Sequence, residues 1–211
     1  VIDIFSGSGV VASYLKSMRY DVIGNDILYF AFVLSRGSTA LNKIPDFKNL
    51  DVKSPIHYLN NLTLKTSGFN LENCFMYQNY SPHDEVNRMY FQNDNAIKID
   101  IIRMTIESWK NANAINEDEY FFLLATLIAA VPYVSNITGT YGAYLKHWDK
   151  RTYNPLNLIE PNSIYKYGKA IFYNENYYSL LPNISADLLY ADPPYNSRQY
   201  LPNYHILETI A

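Results

Sequence analysis

The chain opens on a buried-strand pattern, Val1-Ile2-Asp3-Ile4-Phe5. It runs straight into Ser6-Gly7-Ser8-Gly9 and then into the helix-like stretch Val10–Met18. Strand, glycine turn and helix in that order make a βα unit, which commits a chain to a parallel sheet covered by helices. The same order brings backbone N–H groups at a helix N-terminus close to a bound ligand. The spacing is Gly-x-Gly without the third glycine of the dinucleotide fingerprint, so a pyrophosphate is not specially favoured. A second short strand, Asp21–Ile27, carries Asp26 near its end. That is about the separation from the glycine loop at which an acid accepts from ribose hydroxyls.

The other end of the chain holds a second constellation. The apolar run Asp187–Ala191 leads into Asp192-Pro193-Pro194-Tyr195. Two prolines stiffen the turn and remove two backbone donors. Asp192 and a prolyl carbonyl are both acceptors, so together they can hold an exocyclic NH2 group, which has two protons to donate. Tyr195 adds a flat face for stacking. An amine held by two acceptors, with its lone pair aimed outward, is set up for attack on a methyl group. Each piece alone is commonplace: a glycine turn is often only a tight connection, and a single strand-end acid is usually solvated. The three in this order are far less often accidental.

These residues carry a resemblance. Asp3-Ile4-Phe5-Ser6-Gly7-Ser8-Gly9 resembles the S-adenosylmethionine (SAM) loop of amino-methyltransferases, and Asp192–Tyr195 resembles their catalytic motif. The longer run from Asp192 through Asn196-Ser197-Arg198-Gln199-Tyr200, with Asn203-Tyr204-His205 and Leu207-Glu208-Thr209, resembles one group in particular. That group is the bacterial DNA adenine-specific (N6) methyltransferases of restriction–modification systems, including those partnered with type IIS endonucleases. Further echoes are Asn95-Ala96, Lys98-Ile99-Asp100 and Thr138–Lys146.

The resemblance implies an α/β fold with a Rossmann-like SAM-dependent methyltransferase sheet. It implies Asp192, Pro193, Pro194 and Tyr195 as catalytic residues. Asp3, Phe5, Ser6, Gly7, Ser8, Gly9, Asp26 and Asn174 would bind SAM, with S-adenosylhomocysteine as product and no metal. Asn174 stands near the expected adenine position, where the group often has an acid. Asn196, Arg198, Tyr141 and Lys146 are the candidate DNA contacts, each with surface solvation or turn packing as an equal alternative. Double-stranded DNA and a cognate restriction endonuclease are the expected partners.

Composition sets bounds on this. A chain of 211 residues with 48% apolar content builds one large domain, or one domain with a sizeable insertion. No apolar run is long enough to span a bilayer and no signal-peptide pattern opens the chain, so a cytoplasmic protein is expected. Cys74 is the only cysteine, which excludes an internal disulfide and a thiolate zinc site. It follows Asn73 rather than a proline, so the covalent mechanism of cytosine carbon methylases has no nucleophile here. The four histidines lack metal spacing. A net charge of −3 argues mildly against nucleic-acid binding, because phosphate contacts need a basic face. Lys146, Lys150 and Arg151 form a local basic cluster, as do Lys166 and Lys169.

Four strands can be placed: Val1–Phe5, Asp21–Ile27, Ala170–Asn174 and Asp187–Ala191. The chain opens inside a strand without a methionine and ends within a helical pattern, so the sheet is expected to be partial. The stretch between the ribose-binding acid and the catalytic motif reads as a mainly helical insertion. Residues 1–46 and 166–211 are assigned to the catalytic domain and 47–165 to the insertion, which the resemblance makes the DNA-recognition region.

Within the insertion Ile99, Ile102, Ile106 and Trp109 recur on one helical face. Asn116-Glu117-Asp118-Glu119 starts a second helix, whose face carries Leu124, Leu127, Ile128 and Val131 until Pro132. A turn over 136–141 and a short helix over 143–150 are expected after it, and no element is assigned between Phe47 and Tyr90. Three rival readings stay open at this point: an RNA base methyltransferase, a cytosine amino-methyltransferase, and a catalytically silent DNA- or SAM-binding module.

Overall fold

The computed structural model describes residues 1–161, 164–194 and 200–211. Its centre is a parallel sheet of β1 (Ile2–Asp3), β2 (Val22–Asn25), β3 (Ala170–Tyr173) and β4 (Leu189–Tyr190), in the order β3-β2-β1-β4. β1 pairs with both β2 and β4, with Ile2 opposite Ile23 on one side and Leu189 on the other. The strand order therefore reverses between β1 and β4. In open parallel sheets that reversal leaves a crevice at the carboxyl ends of the strands.

Helix α1 (Val10–Ser17) follows the glycine loop and α2 (Tyr29–Gly37) follows β2. Gly9 caps α1 in the left-handed conformation, with φ 79°. A Cβ there would lie 2.6 Å from Ser35 Oγ on α2, so glycine permits both the turn and the close approach of the two helices.

Small helices α3 (Pro55–Asn61), α4 (Leu64–Ser67) and α5 (Phe75–Tyr80) fill the region that lacked a sequence signal. The long helices α6 (Asn93–Asn111) and α7 (Glu117–Ala130) come next, then α8 (Tyr177–Leu180) and α9 (Tyr200–Ile210). Helix α7 starts as its sequence demands: Asn116 accepts from the Glu119 amide at 3.0 Å, and Glu119 accepts from the Asn116 amide at 2.8 Å. This is a capping box. From Phe121 to Ile128 every residue of α7 is buried, so it is apolar all round rather than amphipathic.

The reason is that α7 lies in the middle of one continuous helical core. That core joins Val33 of α2, Ile99, Ile102 and Ile106 of α6, Leu124, Leu127 and Ile128 of α7, and Ile206 and Leu207 of α9. Gly37 lets α2 press against α7; a Cβ there would lie 2.0 Å from the Phe121 carbonyl oxygen. The insertion thus shares its core with helices that flank the sheet. Two smaller clusters cover the sheet, Ile2–Ile4–Leu180 on one face and Ala12–Val22–Phe172 on the other.

The segment 143–150 is not a helix. Buried Asn136 holds it as a loop: its Nδ2 donates to the Leu145 carbonyl, its carbonyl accepts from the Leu145 amide, and its Oδ1 accepts from the Asp149 amide. Only a short 3-10 turn, Lys150–Tyr153, follows. Among the described residues, no helix is long and apolar enough to cross a membrane.

Candidate active site

The two motif-bearing ends of the chain meet at the carboxyl ends of β1 and β4. A cavity of about 290 Å³ opens there, lined by Phe5, Gly7 and Ser8 from the first loop and by Asp26, Ile27 and Leu28 after β2. Phe30 and Ala31 of α2, Asp192 and Pro194 after β4, and Tyr200 and Tyr204 of α9 complete the wall. Most of this wall is apolar, with carboxylates set into it at Asp26 and Asp192.

The first loop is held from behind. Ser6 donates from both its amide and its hydroxyl to the Asn25 carbonyl, at 2.8 and 3.1 Å. Asp26 grips the loop and its own turn at once: Oδ2 accepts from the Gly7 amide at 2.8 Å and Oδ1 from the Leu28 amide at 2.9 Å. Each carboxylate oxygen has a second lone pair, so Asp26 keeps acceptor capacity toward the cavity. Burial pushes its carboxyl above the ordinary range, and the Leu28, Gly7 and Ile27 amides pull it back.

Asp3 lies behind the loop, 1% exposed, and neither carboxylate oxygen has a hydrogen-bond partner among the described residues. Burial, then the charges of Asp26 and Asp192, push its pKa up to about 6; the Ala12 amide acts weakly the other way. Three carboxylates therefore converge around the cavity, and a cationic ligand would relieve their mutual repulsion.

Not every expected residue touches the cavity. Asp3, Ser6 and Gly9 support the loop from outside it. Asn174 is exposed and its Nδ2 donates to the carbonyls of Asp26 and Ile27, at 2.8 and 3.0 Å, so it braces the Asp26 turn. Pro193 is exposed beside Asp192 and Pro194. Tyr195, Asn196 and Arg198 lie outside the described residues. Lys146 is exposed on the insertion surface.

Tyr141 requires a correction. It is 2% exposed, its hydroxyl hydrogen-bonds Ser135 Oγ at 3.0 Å, and its amide donates to the Asn203 carbonyl at 2.7 Å. Its side chain is buried within the insertion while its backbone amide ties that segment to α9, so the ring has no free surface to offer DNA. Burial raises its hydroxyl pKa further above the ordinary value.

The echoes in the middle of the chain also form internal braces. Asn95 Nδ2 donates to the Thr152 and Asn154 carbonyls, and its Oδ1 accepts from the Leu156 amide. Lys98 donates to the Asn60 carbonyl, and Asp100 accepts from the Met76 and Tyr77 amides at the start of α5.

Sequence reasoning missed the aromatic wall. Tyr204 stacks on Phe30 with ring centroids 5.2 Å apart, and Tyr200 stacks on Tyr204 at 6.3 Å. The i, i+4 spacing of Tyr200 and Tyr204 was available as a signal for one helical face. Phe30 carried none, because α2 has no polar start signal. The buried hub Asn25 was missed too; its Nδ2 donates to the Ile4 and Glu175 carbonyls, and its Oδ1 accepts from the Glu175 amide.

A parallel sheet with this strand order, a glycine loop after β1, an acid after β2 and Asp-Pro-Pro after β4 make up a Rossmann-like fold of the methyltransferase type. The family model of D12 class N6 adenine-specific DNA methyltransferases matches residues 1–211, and the chain belongs to that family. It is 47% identical to the type II methyltransferase M.FokI of Planomicrobium okeanokoites, with 100% of this chain aligned to 32% of that protein. It is also 47% identical to the modification methylase StsI of Streptococcus sanguinis, again 100% of this chain and 32% of the relative. With the type II methyltransferase M.NlaIII of Neisseria lactamica it shares 38% identity, over 99% of this chain and 59% of the relative. The chain thus spans less than two thirds of the length of these relatives. No solved structure gives a significant match.

Proposed function

We propose that this chain is the part of a restriction–modification methyltransferase that binds SAM and methylates the N6 amino group of an adenine flipped out of duplex DNA. The observation that carries the reading is the single cavity bounded by Gly7, Ser8 and Asp26 from one end of the chain and by Asp192 and Pro194 from the other. The residues fit the cofactor. Gly7 and Ser8 offer backbone close to a ligand, Asp26 keeps lone pairs for ribose hydroxyls, and Asp3 leaves an unpaired negative charge behind the loop for a cationic group. Bound there, SAM supplies an electrophilic sulfonium methyl group.

The chain's own work is positioning. Asp192 and the Pro193 carbonyl accept hydrogen bonds from the two N–H groups of the target amine and leave its lone pair facing the donor. Tyr195 stacks on the base and recovers about 1–3 kcal/mol of the few kcal/mol that unstacking costs. Transfer is then direct, and alignment in a pocket with fixed charges contributes about 7–11 kcal/mol toward the barrier. The apolar wall from Phe30 to Tyr204 excludes water from one side of the site. The 47–165 insertion supplies DNA contacts, with Lys146 and Lys150 exposed for phosphates, and Asn196 and Arg198, which follow the Asp-Pro-Pro-Tyr motif in sequence, are further candidate contacts. A cognate endonuclease is the expected partner in the cell.

The test is transfer of labelled methyl from SAM by the full-length protein that carries this chain. Label should appear on adenine N6 of duplex DNA, not on ribosomal RNA. Asp192→Ala should abolish transfer while SAM binding persists. Near-normal turnover by that variant, or label confined to RNA, would refute the assignment.

A further inference from the structure

Three aromatic rings stand in file along one wall of the cavity. Phe30 of α2 stacks on Tyr204 of α9, with centroids 5.2 Å and planes 28° apart. Tyr204 stacks in turn on Tyr200, one helical turn earlier, at 6.3 Å and 23°. Near-parallel planes set this file apart from the edge-on contacts elsewhere in the core, such as Phe32 on Phe121 at 84° and Tyr80 on Tyr90 at 76°. Offset stacking keeps flat faces, rather than edges, turned along the file.

Exposure rises along it. Phe30 is 7% exposed, Tyr204 is half-buried and Tyr200 is 37% exposed. All three line the cavity. The file therefore begins in the core, just after Leu28 on the Asp26 side, and ends where the cavity meets solvent. Tyr200 has Tyr204 on one side and, among the described residues, no aromatic ring on the other.

The end ring is held in place. The Asn203 carbonyl, in the first turn of α9, accepts from the Tyr141 amide at 2.7 Å, which ties that turn to the insertion. At the other end of the helix, Arg103 of α6 donates to the Ile210 and Ala211 carbonyls at 2.7 and 3.2 Å. Ile206 and Leu207 between them are buried in the helical core. With its helix fixed and its neighbour stacked against it, Tyr200 gives up little conformational freedom when a ligand lies on it.

A flat ligand entering from solvent meets this ring first. The same cavity carries Asp192, an acceptor for an exocyclic amine. An aminopurine suits both features at once: its face extends the file by one ring, and its amine donates to the carboxylate. A base in a duplex is stacked on both sides, so an enzyme that extrudes it must return part of that stacking on rings of its own.

We propose that Tyr200 is a base-capture residue: the flipped adenine lies on its open side and continues the file, with Tyr204 and Phe30 backing it. This adds to target binding a ring from outside the Asp-Pro-Pro-Tyr motif. It rests on the reading of the cavity as the site of SAM and the target adenine.

The test measures the affinity of the full-length protein, with S-adenosylhomocysteine bound, for two duplexes built on the sequence it methylates. One carries adenine at the target position and the other an abasic site there. Tyr200→Ala should bind the adenine duplex about tenfold more weakly and the abasic duplex within about twofold of the wild type. Tyr200→Phe keeps the flat ring and should match the wild type on both. SAM affinity, read by calorimetry, should not move in either variant. Equal weakening on the two duplexes, no weakening on either, or a loss confined to SAM would overturn the proposal. If Tyr200→Ala does not fold, Tyr200→Leu, which keeps apolar bulk without a ring, is read in the same way. A wild-type protein that binds no SAM, or transfers no methyl group to duplex adenine, would instead overturn the reading of the cavity, and this inference with it.

Discussion

Asp3 gives the most discriminating perturbation, because its roles in stability and in binding have opposite signs. Its carboxyl is buried behind the glycine loop with no partner among the described residues, and its pKa is pushed from the usual 3.8 to about 6. The folded state therefore holds this proton more tightly than the unfolded chain does, and stability falls as pH rises from about 4 to about 6. Each tenfold change in proton affinity is about 1.36 kcal/mol, so the full shift corresponds to about 3 kcal/mol at neutral pH. Polarisation of the protein around the buried charge offsets part of it, which leaves about 1–2 kcal/mol of strain in the ionised protein.

Asp3→Asn removes that charge. The ligand-free variant should melt about 2–8 °C above the wild type at pH 7. The gap should fall to about half at pH 5, where the unfolded chain still gains from ionising this group, and close only near pH 4. SAM binding should move the other way: losing one of three converging negative charges weakens a cationic ligand by about 1 kcal/mol, or about fivefold. Thermal melts with and without SAM, at each pH, read all of this in one experiment. A variant that is no more stable at pH 7, or that binds SAM as tightly as the wild type, would refute the account of this buried acid.

Gly37→Ala should destabilise the protein by about 1–3 kcal/mol, because the new methyl group meets the Phe121 carbonyl and forces α2 away from α7; denaturant titration gives the value. Asn136→Ala should lower stability by about 2–4 kcal/mol and loosen residues 137–149, since it strands the Leu145 carbonyl and the Asp149 amide; hydrogen exchange locates the change. Lys146→Ala should weaken binding uniformly across DNA sequences and reduce the slope of log affinity against log salt by about 1, measured by anisotropy over a salt series.

Much of the framework was legible because its signals are local. Glycines after an apolar run, an acid closing the next strand and a stiff Asp-Pro-Pro turn each state their own geometry, and the expected strands fall where β1 to β4 lie. The capping box at Asn116 and Glu119 was equally local. What the sequence hid depends on contacts between distant segments. Helix α2 has no capping residue of its own at Leu28, so nothing local in the sequence marks where it starts. Residues 143–150 looked helical, yet one buried asparagine seven residues earlier claims their backbone groups. Tyr141 looked like a surface contact, and only packing against Ser135 and Asn203 places it inside. In the site, the acids and glycines could be read directly. The aromatic wall of Phe30, Tyr200 and Tyr204 could not, because it forms only when α9 folds back onto α2.

The central claim is that opposite ends of this chain build one pocket for a sulfonium donor and a purine amine. The most direct measurement is a crystal structure of the full-length protein with a non-reactive SAM analogue. The account predicts density in the cavity, with the ribose on Asp26, the methionine end against Gly7 and Ser8, and the donor centre facing Asp192. An analogue seated elsewhere, or held on Gly7 and Ser8 with Asp192 facing a separate surface, would contradict it.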